Sequence, residues 1–182
     1  ELRFATARAL FDSFTMANSR ISVPPTDEPA LDFLRGLVSQ DKLDDAVTFC
    51  AYLLGRRECV WWGCRSVRRL LDPIPPAQMP ALDAAEAWVR DPSSEMRQAA
   101  QDAATQADQN TATAWNALSA AWSGGTMSAG RGLAIAPPPE LTPHAAAVAM
   151  TLAGAYLAPD QRKSILKTCI DEGARLAETG LS

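Results

Sequence analysis

The chain has 182 residues, enough to bury a sizeable core as one domain of ordinary size. Its 17 Lys and Arg stand against 21 Asp and Glu, a formal net charge of -4 that disfavours a dedicated nucleic-acid binder relying on phosphate neutralisation. Four cysteines, Cys50, Cys59, Cys64 and Cys169, show no paired framework in a chain this long and each falls in an apolar helical pattern, so buried reduced thiols and a cytoplasmic location are expected.

Helical spacing recurs throughout, and alternating runs of β-branched and aromatic residues are missing from the sequence. The expectation is one all-α domain over residues 1–182, a bundle of about seven to nine helices in antiparallel hairpins. A first helix is predicted over "FATARALFDSFTM", with Phe4, Leu10, Phe11 and Phe14 as its apolar face. Pro24 and Pro25 break the chain, and a second helix to about Val38 follows, with Asp27 as its N-cap and Pro29 in its first turn. Asp41 is expected to cap "KLDDAVTFCAYLL", whose Leu43, Val47, Cys50 and Leu54 share one stripe before Gly55 ends it.

The next segment, "ECVWWGCRSVRRL", makes the second arm of that hairpin. "ALDAAEAWVR" resumes the pattern and stops at Asp91-Pro92, because proline disfavours helical geometry in the residue before it. Ser93 or Ser94 can cap the polar, alanine-rich "SEMRQAAQDAATQAD". Thr111 starts a helix on which Trp115, Leu118 and Trp122 recur until Gly124-Gly125. Residues 123–141 form a Gly/Pro-rich loop, expected to be the most mobile internal segment and to be cut first near Arg131. Pro143 and Pro159 open the last two helices, the second with a stripe of Ile165, Leu166, Cys169, Ile170 and Leu176. The apolar run "HAAAVAMTLAGAYLA" is shorter than the roughly twenty residues a bilayer span needs, so no membrane span is expected. No charged-then-apolar signal segment opens the chain.

Motifs for chemistry are weak. His144 is the only histidine, and no second one completes a zinc set. Cys59 and Cys64, five apart, point about 140° away from each other on a helix and cannot clamp one metal. "GTMSAGRG" imitates a phosphate loop, but Arg131 replaces the lysine, Gly132 replaces the hydroxyl, and "LAIAPPP" supplies no helix N-terminus. The acid pairs in "DEPALD", "KLDD" and "CIDEG" fit capping and dipole complementation. No metal, cofactor or catalytic residue is assigned, and the chain reads as a non-enzyme.

The tryptophan pair leaves two main roles open, with a nucleic-acid surface as a third that the local arginines of "GRRE" and "SVRR" allow and the acidic chain disfavours. On a helix, Val60, Cys64, Val67 and Leu71 form a stripe, Trp61 borders it, Trp62 lies nearly opposite, and a polar wedge holds Glu58, Arg65, Arg69 and Asp72. Arg65 can lie over either indole. Either both indoles are core, covered by arginine stems, or the surface Glu58, Trp62, Arg65 and Arg69 docks a partner protein, Trp and Arg being the types that dominate interface energy.

"GRRECVWWGCRSVRRL" followed by "AAEAWVRDPSSEMRQAA" resembles a family of small, uncharacterised, all-helical bacterial proteins carrying a WW-x-C-R helix, some associated with type VI secretion gene clusters. The resemblance spans roughly residues 41–121, is expected to extend over the whole chain, and carries no catalytic residues. It implies a non-enzymatic adaptor or chaperone-like accessory protein whose partner is a secreted effector or a secretion component. The alternatives are an immunity-type protein that blocks a toxin, and a small-molecule-binding or enzymatic helical domain.

Overall fold

In a computed structural model describing residues 2–128 and 133–181, the chain is all-α, with ten α-helices among the described residues. They are α1 (Ala7–Ser13), α2 (Thr15–Arg20), α3 (Ala30–Ser39), α4 (Leu43–Leu53), α5 (Arg56–Leu70), α6 (Met79–Arg90), α7 (Ser94–Gln106), α8 (Ala112–Ala121), α9 (Leu141–Gly154) and α10 (Pro159–Thr179). A one-turn 3-10 helix precedes α6, and Met127–Ser128 pairs antiparallel with Ala134–Ile135 inside the Gly/Pro-rich segment. Arg131, the expected cleavage site, lies outside the described residues, as do Gly130 and Gly132.

The count exceeds the sequence expectation because the first helix breaks at Phe14, whose extended backbone (φ -132°, ψ 101°) ends α1 and caps α2. The break turns the Phe14 ring into the core, 5.0 Å from the Tyr52 ring and 5.7 Å from Phe4. Two expected caps are also corrected. Asp27 does not cap α3, which starts at Ala30. Residues 26–30 instead run alongside residues 5–8, with Ala30 N–H donating to Ala5 O and Ala7 N–H to Glu28 O, and Asp27 pairs with Arg8. Asp41 precedes the cap of α4, takes a left-handed φ of 60° and pairs with Lys163. Asp171 and Glu172 of "CIDEG" sit in the body of α10, where Glu172 pairs with Arg69. The Ser93 cap forms as expected, its Oγ accepting from Met96 N–H at 3.2 Å, and α6 stops at Arg90 before Asp91-Pro92.

Helix α5 is the hub, packing on α9, α10, α6, α8 and α4. One flank is built from α1 to α4, α9 and α10 around Leu10, Phe11, Phe33, Phe49, Met150 and Ile170. The other is built from α6, α7 and α8 around Leu82, Trp88, Ala100 and Ala120. Helix α5 supplies Cys59, Trp62, Val67 and Leu70 to the first and Val60 and Cys64 to the second. Small residues let the central helices approach closely: a Cβ built on Gly63 of α5 would lie 3.3 Å from Ala146 Cβ of α9 and 3.4 Å from Asn116 Nδ2 of α8. Among the described residues, no helix is long and apolar enough to cross a membrane.

Candidate functional site

The four residues marked by sequence as a docking surface do not form one. Trp62 is 1% exposed, and its Nε1–H donates to Cys169 O of α10 at 2.7 Å, so it is a core residue and its candidacy as a partner contact is corrected. The helical wheel misplaces it because α5 is covered on two sides: the stripe facing α6, α8 and α9 is visible in the sequence, and the second face, against α10, is not. Glu58 turns back toward Gly55 and lines a depression with Arg3 and the end of α10. Arg69 pairs with Glu172 on the α10 side. Only Arg65 reaches the cleft between α5 and α6, which four arginines line.

That cleft, of about 380 Å³, runs between α5 and α6 beside Leu181. Its walls carry Arg57, Arg65, Arg68 and Arg90 against one acid, Glu86. A local excess of positive charge thus sits on a chain whose net charge is -4. Trp61, not Trp62, is the half-exposed indole, and the Arg65 guanidinium carbon lies 4.8 Å from its ring centroid. A cation over an indole face is favoured by the ring quadrupole, by about 0.5–1 kcal/mol at an exposed position.

Each arginine is held differently. Arg68 makes a two-pronged pair with Glu86, at 2.6 and 3.0 Å, and approaches Asp83 at 3.6 Å. The hydrogen bond to Glu86 raises the Arg68 pKa further. Arg57 Nε–H donates to Val89 O at 2.7 Å, at the C-terminal turn of α6, where free carbonyls and the helix dipole favour a cation. Arg65 and Arg90 have no carboxylate partner among the described residues. These contacts, Arg57 with Val89 and Arg68 with Glu86, tie both ends of α5 to the C-terminal half of α6.

The signal missed in the sequence is a spacing. Arg57, Trp61, Arg65 and Arg68 follow one another at i, i+4, i+8 and i+11, one continuous face of a helix. Arg90 joins them from α6 and has no sequence-level link to α5.

Chemically the cleft can bind anions. It presents guanidinium donors and an aromatic face, and its one thiol, Cys64, is buried. Burial pushes that thiol far above its ordinary range, with Glu86 adding in the same direction and Arg68 opposing. Burial likewise raises Cys50 strongly, lifts Cys59 to about 12 and raises Cys169. Thiols so shifted are poor nucleophiles. Among the described residues no three His, Cys, Asp or Glu side chains gather as metal ligands.

The fold and cleft together define a class: an α-helical domain with a basic, tryptophan-floored groove on its hub helix. Residues 33–177, from α3 nearly to the end of α10, match a family of unknown function, DUF6931, and the chain belongs to that family. No curated protein and no solved structure matches the chain.

Proposed function

We propose that this protein is a non-enzymatic adaptor or chaperone-like accessory protein that captures an acidic segment of another protein in the α5/α6 cleft. The observation carrying the reading is the cleft itself: four arginines around a half-exposed tryptophan on an otherwise acidic chain. Desolvated Trp and Arg contribute most strongly to interface energy, and opposite charge speeds and orients encounter. Buried thiols are consistent with a cytoplasmic setting. The likeness of the WW-x-C-R helix and the AAEAWV-x-D-P-S string to proteins of type VI secretion clusters supports a secreted effector or secretion component as the captured protein. An immunity-type role would use the same cleft with a toxin as the occupant.

The test pairs capture with stability. Wild-type bait and a Trp61→Ala/Arg65→Glu bait are compared for retention of host proteins, and both are melted. Expected is an acidic partner released from wild type by raised salt and weakened at least about thirty-fold per folded molecule by the double variant, the size of a hot-spot loss, with a lower Tm because Trp61 also packs against both cores. Equal retention by both baits would overturn the reading.

A further inference from the structure

Tyr52 of α4 is fully buried, yet its hydroxyl has no hydrogen-bond partner among the described residues. An orphaned buried hydroxyl costs stability, so each one calls for an explanation. Tyr52 is one of the residues that line a pit of about 290 Å³ between α2, α4 and α9, a region that shares no residue with the arginine cleft. The charged groups acting on the phenol are Glu140, which raises its pKa after burial does, and Arg20, which opposes them, so it stays a protonated donor with a pKa of about 12. Arg20 lines the pit from the end of α2, and Glu140, the N-cap of α9, is not among its lining residues. Glu140 is occupied, accepting from Thr15 Oγ1–H at 3.1 Å and Met16 N–H at 3.4 Å.

The rest of the wall presents donors. Arg20 lines it and has no carboxylate partner among the described residues. His144, the chain's only histidine, lines it too, its ring held edge-on to Trp115 at 6.1 Å. Burial, aided by Arg20, lowers its pKa, so near neutral pH it is an uncharged ring offering one N–H. Thr48 and Thr151 have spent their hydroxyl protons on Asp44 O and Ala147 O. Among the described residues no carboxylate lines the pit, and Ala147, Val148 and Leu152 make its remaining surface apolar. A guanidinium, an imidazole N–H and an unpaired phenol beside an aliphatic wall are complementary to a ligand with acceptor oxygens, a negative charge and a short apolar tail.

We propose that this pit binds a small carboxylate, its oxygens taken by Tyr52, Arg20 and His144 and its tail lying on Ala147, Val148 and Leu152. The probe is benzoate, titrated into the full chain at constant ionic strength while the ring resonances of the single histidine are followed by NMR, with benzyl alcohol as the neutral isostere. Expected are a saturating shift with benzoate, none with benzyl alcohol, and affinity reduced at least tenfold by Tyr52→Phe and by Arg20→Gln. Without benzoate, Tyr52→Phe should melt no lower than wild type, since it removes an unpaired hydroxyl. Arg20 is exposed, so its variant keeps the test valid if Tyr52→Phe folds poorly. A shift that does not saturate, an equal response to benzyl alcohol, or unreduced affinity in Arg20→Gln would overturn the proposal. So would a lower Tm for Tyr52→Phe, because the hydroxyl would then already have a partner such as a bound water.

Discussion

Gly173, in the body of α10, faces the most tightly packed point of the hub. A Cβ built there would lie 2.8 Å from Trp62 Nε1 and closer still to Cys50 Sγ, distances that real Cβ atoms do not adopt. The contact is tight because the Trp62 indole reaches over α10 to donate to Cys169 O, the carbonyl one turn before Gly173. A side chain at position 173 would push the indole off that acceptor or drive α4 and α10 apart. Forcing a methyl into a packed core costs about 1–3 kcal/mol. Breaking the indole bond and leaving a buried donor unpaired adds about 1–3 kcal/mol, while replacing glycine in a helix returns about 1 kcal/mol.

Gly173→Ala should therefore destabilise by about 1–5 kcal/mol, a fall in Tm of roughly 2 to 20 °C for a chain of this size. Gly36→Ala is the matched control: Gly36 is also inside a helix, but its nearest neighbour would be Gln40 Nε2 at 3.9 Å, ordinary contact. That variant should gain about 0.5–1 kcal/mol. Urea melts followed by far-ultraviolet dichroism measure both. If Gly173→Ala were neutral or rose with Gly36→Ala, the α5/α10 packing described above would be wrong.

Trp62→Ala should cost about 3–5 kcal/mol and Trp61→Ala clearly less, reversing the ranking that the helical wheel suggests; paired urea melts check it. Ser93→Ala should cost about 1 kcal/mol through loss of the Met96 N–H cap, read from the same melts. Stability should fall as pH rises from about 9 toward 12. Cys59 is raised from 9.0 to about 12 and Tyr52 from 10.0 to about 12, so the unfolded chain ionises first and is favoured through that window. Melts across alkaline pH test this, and stability rising over that range would contradict it. Thiol labelling of native protein should be slow at all four cysteines and fast once urea unfolds it, since all four are buried.

The periodicity of single helices was legible: Leu43, Val47, Cys50 and Leu54 are all buried, as their spacing implies, and the stops at Asp91-Pro92 and the start at Pro159 are where local chemistry puts them. What the wheel could not give is the number of neighbours a helix has. Helix α5 serves two cores, so residues on opposite faces, Trp62 and Val60, are both buried, and the docking surface inferred around Trp62 dissolves. The break at Phe14 and the strand-like pairing of residues 5–8 with residues 26–30 depend on contacts distant in sequence, which outweigh the local preference of Asp27 to cap. Of the candidate site, Arg65 was found and Arg57, Trp61 and Arg68 lay readable in their spacing, whereas Arg90 joins them only through the α5/α6 pairing.

With most of α5 buried, a wedge of about 120° remains on its wheel, the arc from Arg57 and Arg68 to Arg69. The arginines of the cleft have little stability to supply from that wedge. Arg65 over Trp61 is favourable by about 0.5–1 kcal/mol, and crowding against Arg57, Arg68 and Arg90 offsets it at low salt. Among the described residues Arg68 alone of the four has carboxylates, Glu86 and Asp83, at hand. The double variant Arg65→Gln/Arg90→Gln should hence leave stability within about 0.5 kcal/mol of wild type, the range of ordinary surface changes, with any gain largest at low salt. Its urea midpoint at two ionic strengths is the measurement. A loss above about 1.5 kcal/mol would mean that these side chains fasten α5 to α6, making the cleft a structural seam with no charge left over for a partner.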